Sequence, residues 1–242
     1  MGNSEMTDAE KIAGLEDRTR FLSEVTYRII DILGTIVEFR NLETVTHVKR
    51  IRAITHILGS CYMRVEKNSG LTPEMVDEIA KAAVLHDVGK IAIPDSILLK
   101  PGKLTRDEFD LMKTHTTKGA EIVDRILDGR EPDTYMTYCR DIAKYHHEKY
   151  DGRGYPEGLK GDRIPLAAQF VSLADCYDAL ISERVYKAAY SKEEAFDMIK
   201  GGECGIFNPR LMNCFIISKA EIEKICDEIE ETADKEYAVS AD

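Results

Sequence analysis

The feature that most constrains the fold is helical periodicity along nearly the whole chain. Apolar residues recur at three- and four-residue steps, and no segment shows the sustained apolar–polar alternation of a half-buried strand. The sequence therefore predicts an all-α fold. Thr72–Pro73 is a strong helix start, with Thr72 as N-cap and Pro73 at the first helical position. The predicted helices occupy residues 8–39, 42–66, 73–87, 105–128, 133–148, 166–182, 191–200 and 209–232.

The pattern predicts three parts within a chain long enough for one sizeable core. Residues 1–40 read as a lead-in helix, 41–220 as the main domain, and 221–242 as an acidic C-terminal helix with a frayed tail. The lead-in helix could pack on the core, pair with a second copy or link to an upstream regulatory domain. Its apolar stripe consists of Ile12, Leu15, Leu22, Val25, Ile29 and Ile32.

Composition excludes several classes of partner. The formal net charge is -11, which argues against DNA or RNA binding because that needs a basic surface. No apolar run approaches the ~20 residues of a membrane helix, so no membrane insertion is expected. The first residues, 1–5, are polar and give no indication of a signal peptide, and the six cysteines include no C-x-x-C pair. We therefore expect a cytoplasmic protein with reduced thiols.

Histidines are the strongest indication of a functional site. The chain has six, and five of them, together with three carboxylates, form a set of residue types that binds divalent first-row metals. A buried multi-metal hydrolytic site is therefore predicted. The candidate ligands are Glu43, His47, His86, Asp87, His115, His146, His147 and Asp175.

Helical phase tests whether these ligands point inward. His47 lies near the middle of the apolar stripe of its predicted helix, with Glu43 four residues earlier on the same face, and His56 lies on the opposite face. His56 is therefore left out of the set. In the next helix, Asp87 falls near the centre of the stripe, where an unpaired carboxylate would be costly. The weakest case is Asp175, which faces away from its helix's main stripe.

The alternative is that each histidine is a hydrogen-bonded core residue. That reading fits any one of them, but it fits the whole set poorly, because adjacent His–Asp and His–His pairs lie on several apolar stripes.

An ordered series of motifs resembles the HD-GYP phosphodiesterases, a branch of the HD metal-dependent phosphohydrolases. The series covers about residues 38–217. It runs through Leu85-His86-Asp87-Val88-Gly89-Lys90-Ile91, Ile93-Pro94-Asp95, Lys100-Pro101-Gly102-Lys103-Leu104-Thr105 and the HHEKYDGRGYP segment 146–156. Asn208 departs mildly from the family's usual Asp, but either residue caps a helix.

The resemblance implies an all-α HD-domain helical bundle with a buried multi-metal site and a GYP loop. It implies hydrolysis of cyclic di-GMP to pGpG and/or GMP, with iron or manganese bound by the eight candidate ligands. Because Glu43 is present, three ions are expected rather than two.

The expected chemistry follows from the ligand types. Asp87 can bridge two metals with its two oxygens, and a metal-bridging hydroxide would attack phosphorus. Lys90 would stabilise the developing charge or help protonate the leaving group. Arg184 and Lys187 would hold phosphate, and Gly154 and Tyr155 of the GYP loop would contact substrate or a partner.

Two other functions remain open at this point. The chain could hydrolyse another cyclic dinucleotide or nucleotide, or it could be a cyclic dinucleotide receptor without turnover. A degenerate receptor would be expected to lose ligands, and all candidate ligands are present.

Overall fold

The computed structural model describes residues 7–40, 45–183 and 189–240. The described residues form helices and loops with no β-strand, and one isolated bridge joins Asp151 to Lys160. The all-α prediction is confirmed. The α-helices are α1 Asp8–Arg40, α2 Val45–Val65, α3 Pro73–Ala82, α4 Asp95–Leu98, α5 Arg106–Lys113, α6 His115–Leu127, α7 Thr134–Tyr145, α8 Leu166–Ile181, α9 Lys192–Lys200, α10 Pro209–Ile217 and α11 Lys219–Ser240.

The predicted helix 73–87 is too long. The α-helix ends at Ala82 and continues as two 3₁₀ segments, Ala83–Leu85 and Val88–Ala92, with His86 and Asp87 at the turn between them. A 3₁₀ helix turns about 120° per residue instead of 100°, so these turns change the direction of both side chains relative to α3. The periodicity could not show this because the two geometries differ little over three residues.

Two other predicted helices are each divided in two. Helix 105–128 breaks at Thr114, whose hydroxyl donates to the Leu111 carbonyl oxygen at 2.6 Å and competes with the helical pattern. Helix 209–232 breaks at Ser218, between α10 and α11. The first break has a consequence for the site, because it puts His115 at the start of α6.

Helix starts follow the sequence closely. Thr72 accepts a hydrogen bond from the Met75 amide and precedes Pro73, as predicted. Thr105 and Ser191 each form a capping box with the glutamate three residues later. Asn208 caps α10, which confirms that its departure from Asp is compatible with the helix start.

The core lies around α2 and α8. Both helices are lined by fully buried side chains, among them Ile51, Ile54, Leu58, Phe170 and Leu173. α8 is buried on most of its circumference, as its nearly uniform apolar sequence predicts. All six cysteines are free thiols.

The two ends of α1 differ. Its C-terminal part packs against α2 and the two 3₁₀ segments, and it buries Ile30, Gly34, Val37 and Glu38. Its earlier turns expose most of the predicted stripe, including Ile12, Leu15, Leu22, Ile29 and Ile32. The buried face of α1 is therefore not the face that the periodicity indicated. In the part of the chain that the structure describes, no helix has the length and apolarity needed to span a bilayer.

Candidate metal centre

A first cluster of potential ligands joins α6, α7 and the turn after α3. Asp87, His115, His146 and His147 each offer one ligand atom, and all four atoms lie within 4.8 Å of one another. The Nε2 atoms of His115 and His146 are 3.4 Å apart. Three of these residues lie at helix ends. His115 is the first residue of α6, and His146 and His147 follow the last residue of α7.

A second cluster lies beside the first and consists of Glu38, His47 and His86. Their ligand atoms also lie within 4.8 Å of one another, and all three residues are buried. Glu38 belongs to the last turn of α1, and His47 to the first turns of α2.

Asp87 lies between the two clusters. Its Oδ1 is 3.2 Å from His115 Nε2 and 3.7 Å from His146 Nε2, whereas its Oδ2 is 3.2 Å from His86 Nε2. Each carboxylate oxygen therefore faces a different cluster, which is the arrangement that a bridging ligand requires. Asp175, half-buried on α8, adds an oxygen 3.9 Å from His86 Nε2.

Backbone carbonyl groups fix the orientation of three of the imidazole rings. The Nδ1 atoms of His86, His115 and His146 contact the carbonyl oxygens of Ala83, Met112 and Ile142 at 3.0, 2.8 and 2.9 Å. Such contacts fix the tautomer that carries hydrogen on Nδ1 and leave Nε2 free to bind a metal.

His47 is oriented by a carboxylate. Its Nδ1 lies 2.7 Å from Asp178 Oδ2, and Asp178 also accepts hydrogen bonds from Arg50 and Ser182. Burial opposes ionisation of Asp178, but the hydrogen bonds from His47 and Arg50 hold the pKa of its carboxyl below the ordinary value. The sequence alone assigned Asp178 no role, and the structure shows that it orients His47.

The donor set fits divalent metal ions. Three buried atoms that face the site, Glu38 Oε2, His86 Nε2 and Asp87 Oδ1, have no hydrogen-bond partner. Unpaired buried polar atoms are costly, and metal coordination would compensate for them. Imidazole nitrogen and carboxylate oxygen are both suitable donors.

Charges in the site are strongly coupled. Burial alone would raise the pKa of Asp87, but Lys90 and His86 hold it well below its ordinary range. Burial would lower the pKa of His86, yet Asp87 raises it to about 10. Burial lowers the pKa of His115 to about 4 and that of His147 well below its usual value. The first cluster thus offers two neutral imidazoles at neutral pH, as metal binding needs.

Lys90 lies at the edge of the second cluster. Its Nζ is 2.6 Å from Asp87 Oδ2. Burial acts to lower the pKa of Lys90, but Asp87 and Glu38 raise it above the ordinary value. Lys90 is therefore a cation throughout the neutral range.

The GYP loop, residues 149–160, packs directly against the first cluster. The Tyr155 ring lies over His147, with centroids 4.7 Å apart and planes inclined by 33°. Gly154 has no room for a side chain, because a Cβ there would be 2.3 Å from the Lys149 nitrogen. The buried Glu148 carboxylate accepts hydrogen bonds from the amides of Glu157 and Leu159 at 2.8 and 3.0 Å and so anchors the loop.

The structure brings most of the predicted site residues close together, but it does not describe three of them. His47, His86, Asp87, Lys90, His115, His146, His147, Tyr155, Gly154 and Asp175 surround one region. Glu43, Arg184 and Lys187 lie outside the described residues. His56 lies on the outer side of α2, as predicted, and pairs with Asp77 at 3.1 Å.

Sequence reasoning missed Glu38 and gave Glu148 no role. The signal for Glu38 was weak, because only Ile30, Gly34 and Val37 mark the buried face that it shares. Glu148 follows the His–His pair directly, but nothing in the spacing shows that a carboxylate there binds backbone amides.

An all-α fold that carries two adjoining clusters of histidine and carboxylate defines a class of divalent-metal-binding helical domain. The sequence profile of the HD domain family matches residues 27–209. The chain belongs to the HD domain family, whose members depend on divalent metal.

Curated relatives of the chain support the same family. A probable cyclic di-GMP phosphodiesterase of Vibrio cholerae is 40% identical over 225 residues, which are 92% of this chain and 50% of the relative. The cyclic di-GMP phosphodiesterase response regulator RpfG of Xanthomonas campestris is 41% identical, over 80% of this chain and 48% of its own. A 3'3'-cGAMP-specific phosphodiesterase of Vibrio cholerae is 37% identical, over 81% and 35%. The chain thus spans about half the length of the first two relatives, and the predicted resemblance to HD-GYP phosphodiesterases is confirmed.

The fold also resembles a solved structure. Bd1817, an HDG"Y"P protein from Bdellovibrio bacteriovorus, matches with a TM-score of 0.52 and 21% identity over 78% of this chain and 61% of its own. At this identity the likeness supports the fold.

Proposed function

We propose that the chain is a metal-dependent phosphodiesterase that hydrolyses cyclic di-GMP to pGpG, GMP or both. The observation that carries the proposal is the position of Asp87, whose two oxygens face two separate ligand clusters. A phosphodiester needs its negative oxygens neutralised and a strong nucleophile supplied, and paired metals provide both.

The proposed ligands are those predicted from the sequence, and they would hold two or three iron or manganese ions. Three are favoured because Glu43 is present. Bound metal would supply charge neutralisation and an activated water, while the chain holds the imidazoles in place through their Nδ1 contacts.

Lys90 would act on the developing charge of the transition state. Its Nζ lies 2.6 Å from Asp87 Oδ2, where it would stabilise that charge or help protonate the leaving group. Arg184 and Lys187 would hold phosphate, with Arg giving a two-point grip and Lys a point charge. Tyr155 and Gly154 would border the substrate from the anchored GYP loop.

The names of the relatives support cyclic di-GMP as the substrate. A second candidate is a mixed cyclic dinucleotide, favoured by one observation, the 37% identity to a 3'3'-cGAMP-specific phosphodiesterase. The third reading, a receptor without turnover, is disfavoured by the completeness of the ligand set.

Turnover by purified protein tests the proposal. Protein loaded anaerobically with Fe(II) or Mn(II) is incubated with cyclic di-GMP or 3'3'-cGAMP, and products are separated by chromatography. His86→Ala should be inactive, and the matched control His56→Ala, altered on the outer side of the same bundle, should keep wild-type activity. Cleavage of 3'3'-cGAMP alone would favour the second candidate, and binding without cleavage by metal-loaded protein would favour the receptor.

The cellular location of the protein and the role of α1 are also proposed. We place the protein in the cytoplasm, with α1 as a dimerisation or signalling helix and with an upstream regulatory domain in a longer protein. The exposed apolar residues of α1 support this role, because isolated apolar stripes of this length need a partner.

A further inference from the structure

Glu38 is a buried acid at the metal centre that the predicted ligand set does not contain. It is 2% exposed, and its Oε2 has no hydrogen-bond partner. One of its oxygens lies within 4.8 Å of ligand nitrogens of both His47 and His86. We propose that Glu38 is a ligand of the ion held by His47 and His86, so that the last turn of α1 is part of the metal centre.

The position of Glu38 is fixed by its neighbours in α1. Arg40, two residues later, donates four hydrogen bonds of 2.7–2.9 Å to the segment that follows the His–Asp pair, to the carbonyl oxygens of Lys90, Ile91 and Ile93 and to the Asp95 carboxylate. Gly34, one turn earlier, allows α1 to approach Val84, since a Cβ there would be 2.3 Å from its side chain. Glu38 is therefore held between two anchors and faces the cluster.

Charge balance gives an independent reason. A divalent ion between His47 and His86 would have two neutral imidazoles as ligands and the Lys90 ammonium nearby, 2.6 Å from the Asp87 oxygen on that side. Asp87 shares its charge with the other cluster, and Asp175 lies 3.9 Å from His86. A carboxylate from Glu38 would add negative charge to the side of the site that carries the Lys90 ammonium.

The inference rests on the metal centre of the proposed function but not on its substrate. The test therefore measures metal. Wild type, Glu38→Gln and the control Glu24→Gln, an exposed acid on the same helix, are loaded anaerobically with Mn(II) and dialysed, and bound metal is counted by mass spectrometry of the digested protein. Competition with a chelator gives the affinity of each ion.

Glu38→Gln should lose one equivalent of metal or bind its weakest ion about 100-fold less tightly, and Glu24→Gln should match wild type. If Glu38→Gln does not fold, Glu38→Asp, which keeps the charge on a shorter side chain, should keep the stoichiometry with weakened affinity. Unchanged stoichiometry and affinity in the folded variant would overturn the proposal. If that variant also turned over more slowly, Glu38 would act through Lys90 instead.

The results also distinguish an error in the role of Glu38 from an error in the proposed function. A wild type that binds metal and cleaves substrate, beside a Glu38→Gln that binds the same metal, would refute only the role of Glu38. A wild type that binds no metal would refute both.

Discussion

Single residues behind the ligands prepare the site for metal. Asp178 is fully buried and contacts both His47 and Arg50, so its carboxylate orients a proposed metal ligand and neutralises a buried guanidinium. The chain has a second His–Asp pair on the surface, His56 with Asp77. The His47–Asp178 pair is buried and the His56–Asp77 pair is exposed, so the buried pair should contribute more to stability.

Asp178→Asn should weaken metal binding at His47 by about 10–100-fold, because the ring loses its anionic partner. It should also lower the free energy of unfolding by about 3 kcal/mol, since the buried Arg50 loses its buried partner and keeps only Glu230, a half-exposed carboxylate 3.6 Å away. Metal titration and urea denaturation measure the two effects. Asp77→Asn is the control and should change neither, and equal effects of the two substitutions would contradict the assigned role.

Lys90→Ala tests the proposed role of Lys90 in stabilising the developing charge. The variant should keep its metals and lose about 10²–10³-fold in kcat, the usual cost of removing one such stabilising group. Metal analysis and steady-state kinetics check this beside Lys118→Ala, which removes an exposed lysine paired with Glu121. Loss of metal in Lys90→Ala would instead make Lys90 a structural residue.

At the level of helices, breaks and close approaches bring the candidate ligands together. The 3₁₀ turns after α3 direct His86 and Asp87, and the break at Thr114 starts α6 at His115. Gly89 is in contact with that same start, because a Cβ on it would lie 1.8 Å from the His115 carbonyl oxygen. The distance between the two clusters thus depends on how closely these segments pack.

Periodicity predicted the helices and placed His47, Asp87 and His115 on strongly marked apolar faces, and the structure buries all three. It could not predict the 3₁₀ segments, which are too short to change the pattern. It also missed Glu38, since the larger apolar residues of α1 lie on the opposite, exposed face and dominate its pattern. Asp178, which orients His47, lies 131 positions later in the chain, so no local sequence pattern indicates this contact.

Two glycines on α1 give a matched test of its packing. Gly34→Ala should lower the free energy of unfolding by about 1–3 kcal/mol, because the new methyl group would overlap Val84. Gly14→Ala has open space around it and should raise the free energy of unfolding by up to about 1 kcal/mol through helix propensity. Chemical denaturation of both variants measures the difference, and a Gly34→Ala as stable as Gly14→Ala would show that α1 does not pack closely on Val84.

For the whole molecule, α1 connects an exposed apolar surface to the candidate metal centre. Its early turns expose Leu15, Leu22 and Ile29, while its last turn carries Glu38 and Arg40. A partner helix bound at the exposed turns would therefore act on the same rigid element that borders Lys90.

Leu22→Glu should convert a dimer to a monomer, because a charge in the centre of the exposed stripe opposes its burial. Light scattering measures the mass of this variant, of a chain shortened by residues 1–22, and of the control Glu16→Gln. Both Leu22→Glu and the shortened chain should be monomeric and Glu16→Gln dimeric. A monomeric wild type would exclude α1 as a dimer helix at the concentrations tested.

We expect the two adjoining ligand clusters to form one multi-metal site with Asp87 between them. Anomalous scattering from crystals loaded with Mn(II), measured on both sides of the manganese absorption edge, tests it most directly. At least two manganese peaks are expected, one within His115, His146 and His147 and one beside His47 and His86, with an oxygen of Asp87 directed at each. A single peak, or peaks that leave either cluster empty, would contradict it.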